Sequence, residues 1–162
     1  MKMKNYFWIV ASASMFLALA AAMPFARAQV TVPRPHPQPI PAYHSSPPTG
    51  PLPTTLPVKD FADPLTRRAY AIAAKIKPVL YQLPCYCRCD VAAGHTSLLS
   101  CYHGLHGSEC EICKMELFYA YEETRKGKTP AQIRAGIIHG GWEKVDLAKW
   151  TPPERAKTKT PQ

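Results

Sequence analysis

All six cysteines of this chain fall between residues 85 and 113, and neither flank contains another. Cys85, Cys87 and Cys89 alternate in the stretch PCYCRCD, Cys101 follows, and Cys110 and Cys113 form a CxxC pair. Thiols this dense cross-link, hold a soft metal ion or cycle between oxidation states. Any fold the chain adopts must bring their partners within reach. In an extended chain the three alternate cysteines project to one side, with Tyr86 and Arg88 on the other. Same-side neighbours are then about 6.6 Å apart, at the outer limit for a disulfide. A turn at Arg88 would shorten one spacing. If disulfides alone are made, each of the three pairs best with Cys101, Cys110 or Cys113, in an order the spacing leaves open.

The compartment bears on that choice. Lys2 and Lys4 precede an apolar run from Tyr6 to about Phe25, which closes on Ala26-Arg27-Ala28, an A-x-A pattern. This predicts a signal peptide over residues 1–28, a mature start at Gln29 and an exported, periplasmic or extracellular protein. The run approaches bilayer-spanning length, so a retained leader would instead anchor the chain in a membrane. Residues 29–60 come next, with Pro33, Pro35, Pro37, Pro39 and Pro41 alternating and Pro47, Pro48, Pro51, Pro53 and Pro57 behind them. Repeated proline fixes φ and removes backbone donors. The stretch therefore reads as an extended polyproline-II linker.

The foldable part is residues 61–150. Asp63 before Pro64 is an N-cap with proline in the first turn. Leu65, Ala69, Ile72, Ala73 and Ile76 then recur at helical spacing. Pro78 is expected to end that helix, leaving Val79-Leu80-Tyr81 extended. Ser97 to Tyr102 makes at most a short helix. Ser108-Glu109-Cys110-Glu111 has the capping-box pattern and opens a helix that Gly127 should stop. Thr129-Pro130-Ala131-Gln132 repeats the pattern. The result is an αα-hairpin over residues 109–139, with Trp142, Val145, Leu147 and Trp150 folded back on it. The fold class is mainly α: a small three- to four-helix domain with a cysteine-rich knuckle. Residues 151–162 form a disordered basic tail. A domain of about ninety residues buries a limited core and gains from a covalent or metal staple.

The CxxC pair sits at the start of its helix, where the positive end of the dipole favours thiolate. A disulfide inside this pair would leave the triplet with only Cys101. Two triplet thiolates joined by Cys110 and Cys113 avoid that remainder and make a four-sulfur shell for Zn²⁺ or an iron–sulfur centre; such donors also hold Cu(I). The candidate ligands are Cys85, Cys87, Cys89, Cys101, Cys110 and Cys113, with His95, His103 and His106 inside the same window. The metal is a transition metal ion, Zn, Cu(I) or Fe–S. Two readings stand beside it: a disulfide-stapled envelope interaction protein, and a thiol–disulfide enzyme using one exposed pair.

Other chemistries lack their residues. Cys110-Glu111-Ile112-Cys113-Lys114 departs from the haem-attachment CxxCH at Lys114. No phosphate-binding glycine loop, GxSxG or HExxH is present. Twenty Lys and Arg against eleven Asp and Glu give a net charge of +9. Part of that excess lies in the leader and the rest is spread out, with a small cluster at Arg155, Lys157 and Lys159. Nucleic-acid binders concentrate such charge in a stripe, so no nucleic-acid partner is expected. The expected partner is another envelope protein or a donor of metal or thiols.

The succession LPCYCRCD, GHTSLLSCY, HGSECEIC and GKTPAQIRAGI, over roughly residues 83–139, resembles the bacterial PCYCGC-motif proteins. These are small exported proteins, often lipoproteins, and the resemblance brings no established activity. Arg88 stands where that motif has glycine, and the leader has no cysteine for a lipid anchor. A second likeness, in architecture, is to the periplasmic thiol oxidoreductases of cytochrome c maturation. They place a cysteine pair ahead of a helical hairpin with a Gly-Lys-Ser/Thr turn. It implies an enzymatic role for Cys110 and Cys113, or for two of the triplet.

Overall fold

The computed structural model describes residues 38–151. The signal peptide expected over 1–28, and the basic tail over 151–162 beyond its first residue, lie outside the described residues.

Asp63 caps α1 (Pro64–Lys75) as its sequence predicts. Its carboxylate accepts the Thr66 amide at 2.7 Å and the Thr66 hydroxyl at 2.6 Å. The buried face is Thr66, Ala69, Tyr70, Ile72 and Ala73. Pro78 does not leave an extended piece behind it. It occupies the first turn of α2 (Lys77–Leu80), where its missing N–H costs nothing. A proline after a helix marks the start of the next one as well as the end of the last. Leu80 and Leu83 are then buried in the core.

The hairpin is α5 (Glu111–Arg125) and α6 (Pro130–Ile138). Gly127 takes φ +80° between them. The Lys128 amide reaches the Glu123 carbonyl at 3.1 Å and the Gly127 amide reaches Thr124 at 3.0 Å, the paired bonds of a Schellman stop. Lys126 (2.7 Å) and Lys128 both ion-pair with the Glu123 carboxylate. Thr129 and Gln132 form a reciprocal capping box on α6. Ile133 and Ile137 are buried one turn apart. Leu117, Phe118 and Ala120 of α5 are buried; Trp150 stacks on Phe118 with ring centroids 4.3 Å apart.

The expected capping box at Ser108 is absent. The Ser108 hydroxyl donates to the Leu105 carbonyl at 2.5 Å, and a separate turn, α4 (His106–Glu109), precedes Cys110, which becomes the N-cap of α5. Gly107 explains the break. A Cβ there would stand 2.8 Å from the Tyr102 ring and 3.0 Å from the Cys101 carbonyl. The chain packs backbone against Tyr102 at this point instead of running on as one helix. Tyr102 belongs to a short 3₁₀ turn, Leu98–Tyr102, and its hydroxyl donates to the Cys113 carbonyl at 2.8 Å.

Over residues 38–57 the proline-rich stretch forms neither helix nor strand and bends at Ser45–Ser46 and Thr49–Gly50, and it is a strap on the domain and not a free spacer. Pro41 is buried. The His44 ring stacks on Tyr81 at 3.8 Å, and Arg134 lies over Tyr43 at 4.7 Å. Leu52 and Leu56 pack against the core, and the Leu56 amide donates to the Tyr102 carbonyl at 3.1 Å. No strand occurs among the described residues, so the fold is mainly helical, as expected.

Candidate metal centre

The alternate cysteines do not form an extended ribbon. After Pro84 the chain turns, with the Arg88 amide on the Cys85 carbonyl at 3.3 Å. Arg88 adopts the left-handed conformation, φ +63°, the one non-glycine residue to do so among those described. Cys89 then opens α3 (Cys89–Ala93), which Gly94 ends at φ +66°. A left-handed residue with a Cβ is strained by roughly 1–2 kcal/mol, and glycine avoids that cost. Arg88 is held there from outside: its guanidinium donates to the Pro39 carbonyl of the strap at 2.7 Å and lies 3.6 Å from Asp90. The Asp90 carboxylate in turn accepts the Ala42 amide at 3.2 Å.

The turn swings Cys85 and Cys87 onto the start of α5. Cys85 Sγ lies 3.3 Å from Cys87 Sγ and 3.4 Å from Cys113 Sγ, and Cys87 to Cys113 is 3.6 Å. Cys89 Sγ lies 3.4 Å from Cys101 Sγ. Two imidazoles close the group: His106 Nε2 is 3.3 Å from Cys87 Sγ, and His95 Nδ1 is 3.4 Å from Cys101 Sγ. All six cysteines are free thiols; their closest approach far exceeds a sulfur–sulfur bond of about 2.05 Å. Three four-donor sets have every ligand atom within 4.8 Å of the others: Cys85, Cys87, Cys101, Cys113; Cys87, Cys89, Cys101, His106; and Cys87, His106, Cys110, Cys113.

All six predicted sulfurs and His106 therefore meet at one locus. His95 touches it through Cys101. His103 does not join any of the sets; its Nε2 is buried without a hydrogen-bond partner. Burial lowers its pKa, as it does for His95, which favours the neutral imidazole at both.

Hydrogen bonds between neighbouring thiols decide which of them ionises first. Those from Cys101, then Cys110, Cys113 and Cys85, pull the pKa of Cys87 down. Cys87 is also the one donor common to all three sets. Cys113 is pushed up, first by Cys101 and then by Cys110. Cys89 is pulled down as well, first by its hydrogen bond with Cys101, so neighbouring thiols favour the thiolate at Cys87 and Cys89 and disfavour it at Cys113. The N-terminus of α5, with Cys110 at the cap and Cys113 one turn in, adds a favourable dipole. A tetrahedral zinc–thiolate centre has sulfur–sulfur edges of about 3.8 Å, from bonds of about 2.3 Å. The edges among Cys85, Cys87 and Cys113, 3.3 to 3.6 Å, need only a few tenths of an ångström of opening, and the fourth donor lies within 4.8 Å of each, so the donors fit a soft transition metal.

One residue of the site has no sequence signature. Glu116 on α5 is fully buried and accepts the Tyr86 amide, between Cys85 and Cys87, at 2.7 Å. Burial, outweighing its hydrogen bonds to Cys85 and Tyr86, raises its pKa well above the usual carboxylate range. A helical glutamate reads as a solvated one; only its i+3 spacing from Cys113, on the same face, hinted otherwise. A separate cleft of about 490 Å³, lined by Arg68, Tyr119, Lys126, Lys144 and Trp150, contains no cysteine.

No curated protein and no solved structure matches the chain. A family model does, over residues 48–144, a span that takes in the second half of the strap together with the cysteine cluster and the hairpin. The motif for which it is described, PCYCGC, falls on Pro84 to Cys89, with Arg88 at the glycine. The chain belongs to the family of proteins of unknown function with a PCYCGC motif.

Proposed function

We propose that this protein is an exported transition-metal-binding module that carries its ion through the thiolate cluster and is not itself an enzyme. One observation carries the reading: thiols from three separate stretches of chain, and the His106 imidazole, converge into sets that each supply a complete tetrahedral shell. Cross-linking would need pairs; this arrangement shares donors instead. Zn²⁺ and Cu(I) both suit the thiolate-rich donors, and an iron–sulfur centre has the same requirement for cysteine. The exported part of this reading rests on the signal-peptide pattern of residues 1–28.

The test is elemental analysis of protein isolated from its native compartment, paired with intact mass before and after alkylation, with and without reductant. The expected result is bound metal in near-stoichiometric amount, with sulfurs that alkylate without reductant once a chelator has stripped the ion. Folded, metal-free protein with all six sulfurs resistant to alkylation until reduced would overturn the reading in favour of a disulfide staple.

A further inference from the structure

We infer that the cluster is a binuclear centre: one ion on Cys85, Cys87, Cys101 and Cys113, a second on Cys87, His106, Cys110 and Cys113, with the Cys87 and Cys113 thiolates bridging them. This deepens the metal-binding reading and rests on it.

The number of ions follows from the chemistry of the shared donors. The three four-donor sets overlap. A thiolate sulfur has lone pairs for two metal ions, so Cys87, Cys101 and Cys113 can each serve two sets. His106 cannot, because Nε2 of a neutral imidazole has a single lone pair. The second and third sets both need that nitrogen and exclude each other. The first set uses no histidine and is compatible with either. Two ions therefore fill the cluster, one of them always on Cys85, Cys87, Cys101 and Cys113.

Bridging geometry suits the third set as partner. Two tetrahedra that share two sulfurs share an edge, and that edge must be short. Cys87 and Cys113 are 3.6 Å apart, near the roughly 3.8 Å edge of a zinc–thiolate tetrahedron. They are the two donors common to the first and third sets. The helix dipole points the same way, since Cys110 and Cys113 occupy the cap and first turn of α5. Charge favours two ions over one, whichever second set is filled. One dication on four thiolates leaves a buried charge of −2. Two dications on the five thiolates Cys85, Cys87, Cys101, Cys110 and Cys113 leave −1, and the desolvation cost of a buried ion grows steeply with its charge. Cys89 belongs to neither shell in this arrangement. Its Sγ and His95 Nδ1 each lie 3.4 Å from Cys101 Sγ. Both are the supporting contacts that a metal-bound thiolate takes from its surroundings.

The experiment is titration of the reduced, metal-free full chain with ¹¹³Cd²⁺, followed by ¹¹³Cd NMR and by mass spectrometry under native conditions. Two ions per chain are expected, giving one resonance of four-sulfur type and one of three-sulfur, one-nitrogen type, coupled to each other through the bridging sulfurs. His106→Ala and Cys110→Ser should each abolish or move the second resonance and spare the first; Cys89→Ser should leave both. Binding of a single ion with four-sulfur character overturns the binuclear centre but leaves the metal-binding reading standing. Absence of any tight ion removes both. Two ions whose second resonance survives Cys110→Ser and is lost in Cys89→Ser overturn the assignment of the bridge to Cys113. The histidine and Cys110 variants are at half-buried positions, and circular dichroism of each verifies its fold before titration.

Discussion

Replacing Glu116 separates a supporting carboxylate from a merely buried one. Glu116 is fully buried and its oxygen accepts the amide of Tyr86, which is itself buried, at 2.7 Å. That amide sits between Cys85 and Cys87, so its hydrogen bond sets the turn that presents both sulfurs. Glu116→Gln keeps an acceptor at the same place. Glu116→Leu removes it and keeps the volume. An amide left without an acceptor away from water costs about 1–3 kcal/mol. Where that cost appears depends on the metal-free protein. If the turn persists there, stability falls; if the turn relaxes to let water reach the amide, the loss passes to metal affinity. Wholly expressed in affinity it is about 5- to 140-fold, at about 1.4 kcal/mol per tenfold, the range found for supporting residues around metal ligands. Competition for Zn²⁺ against a chromophoric chelator measures the affinity, and urea unfolding of the metal-free, reduced protein measures the stability. The two losses in Glu116→Leu should sum to about 1–3 kcal/mol beyond those of Glu116→Gln. Simple apolar burial predicts the opposite sign, because Leu gains about 1.5–3 kcal/mol on being buried. A Leu variant that matches or exceeds the Gln variant in both measurements refutes the role given to this carboxylate.

Asp63→Ala should cost about 0.5–2 kcal/mol by uncapping α1. The Thr66 hydrogen bonds hold the Asp63 pKa below its ordinary value, so its contribution is present above about pH 3.9 and is lost as pH falls through the lowered value; melting temperatures of the two proteins should converge below that pH, and a gap that stays constant down to pH 2 would contradict the cap. Gly136→Ala would put a Cβ onto the Tyr119 hydroxyl and 2.9 Å from its Cζ, and Gly141 leaves no more room, since a Cβ there would stand 2.9 Å from the same ring. Overpacking of about 1–3 kcal/mol should outweigh the gain of up to about 1 kcal/mol in helix propensity, and Tyr119→Leu should recover most of it; urea midpoints decide, and a single variant as stable as the parent would show that the ring is free to move.

What the sequence revealed and what it hid divide along physical lines. The caps at Asp63 and Thr129 and the stop at Gly127 are local, each decided by residues within one turn, and they are where they were expected. The convergence of the sulfurs was legible because six thiols in so short a window have few places to go. Ser108 misled because its hydroxyl has a nearer acceptor, the Leu105 carbonyl, offered only once Gly107 packs on Tyr102. That packing is tertiary and leaves no local pattern. Val79 to Tyr81 misled because a proline is compatible with either side of a helix boundary. The strap misled most. Alternating prolines dictate an extended backbone, but whether that backbone floats or lies on the domain depends on Pro41, His44, Leu52 and Leu56 finding Tyr81, Tyr102 and the core, and those contacts have no period to read.

The strap also resolves the departure at residue 88. A turn that needs φ +63° favours glycine, and the family motif has glycine there. Arginine holds the same backbone only with compensation from outside the turn. The guanidinium reaches the Pro39 carbonyl, while Asp90, one residue into α3, takes the Ala42 amide. Two hydrogen bonds thus join the cysteine turn to a segment nearly fifty residues upstream. A charge-assisted bond contributes more than a neutral one, enough to offset the roughly 1–2 kcal/mol of left-handed strain. The consequence is directional. Glycine at this position would carry no left-handed strain to offset; here the geometry of Cys85, Cys87 and Cys89 is coupled to whether the strap is seated, so the proline-rich segment is part of the candidate metal centre's support and not a passive tether.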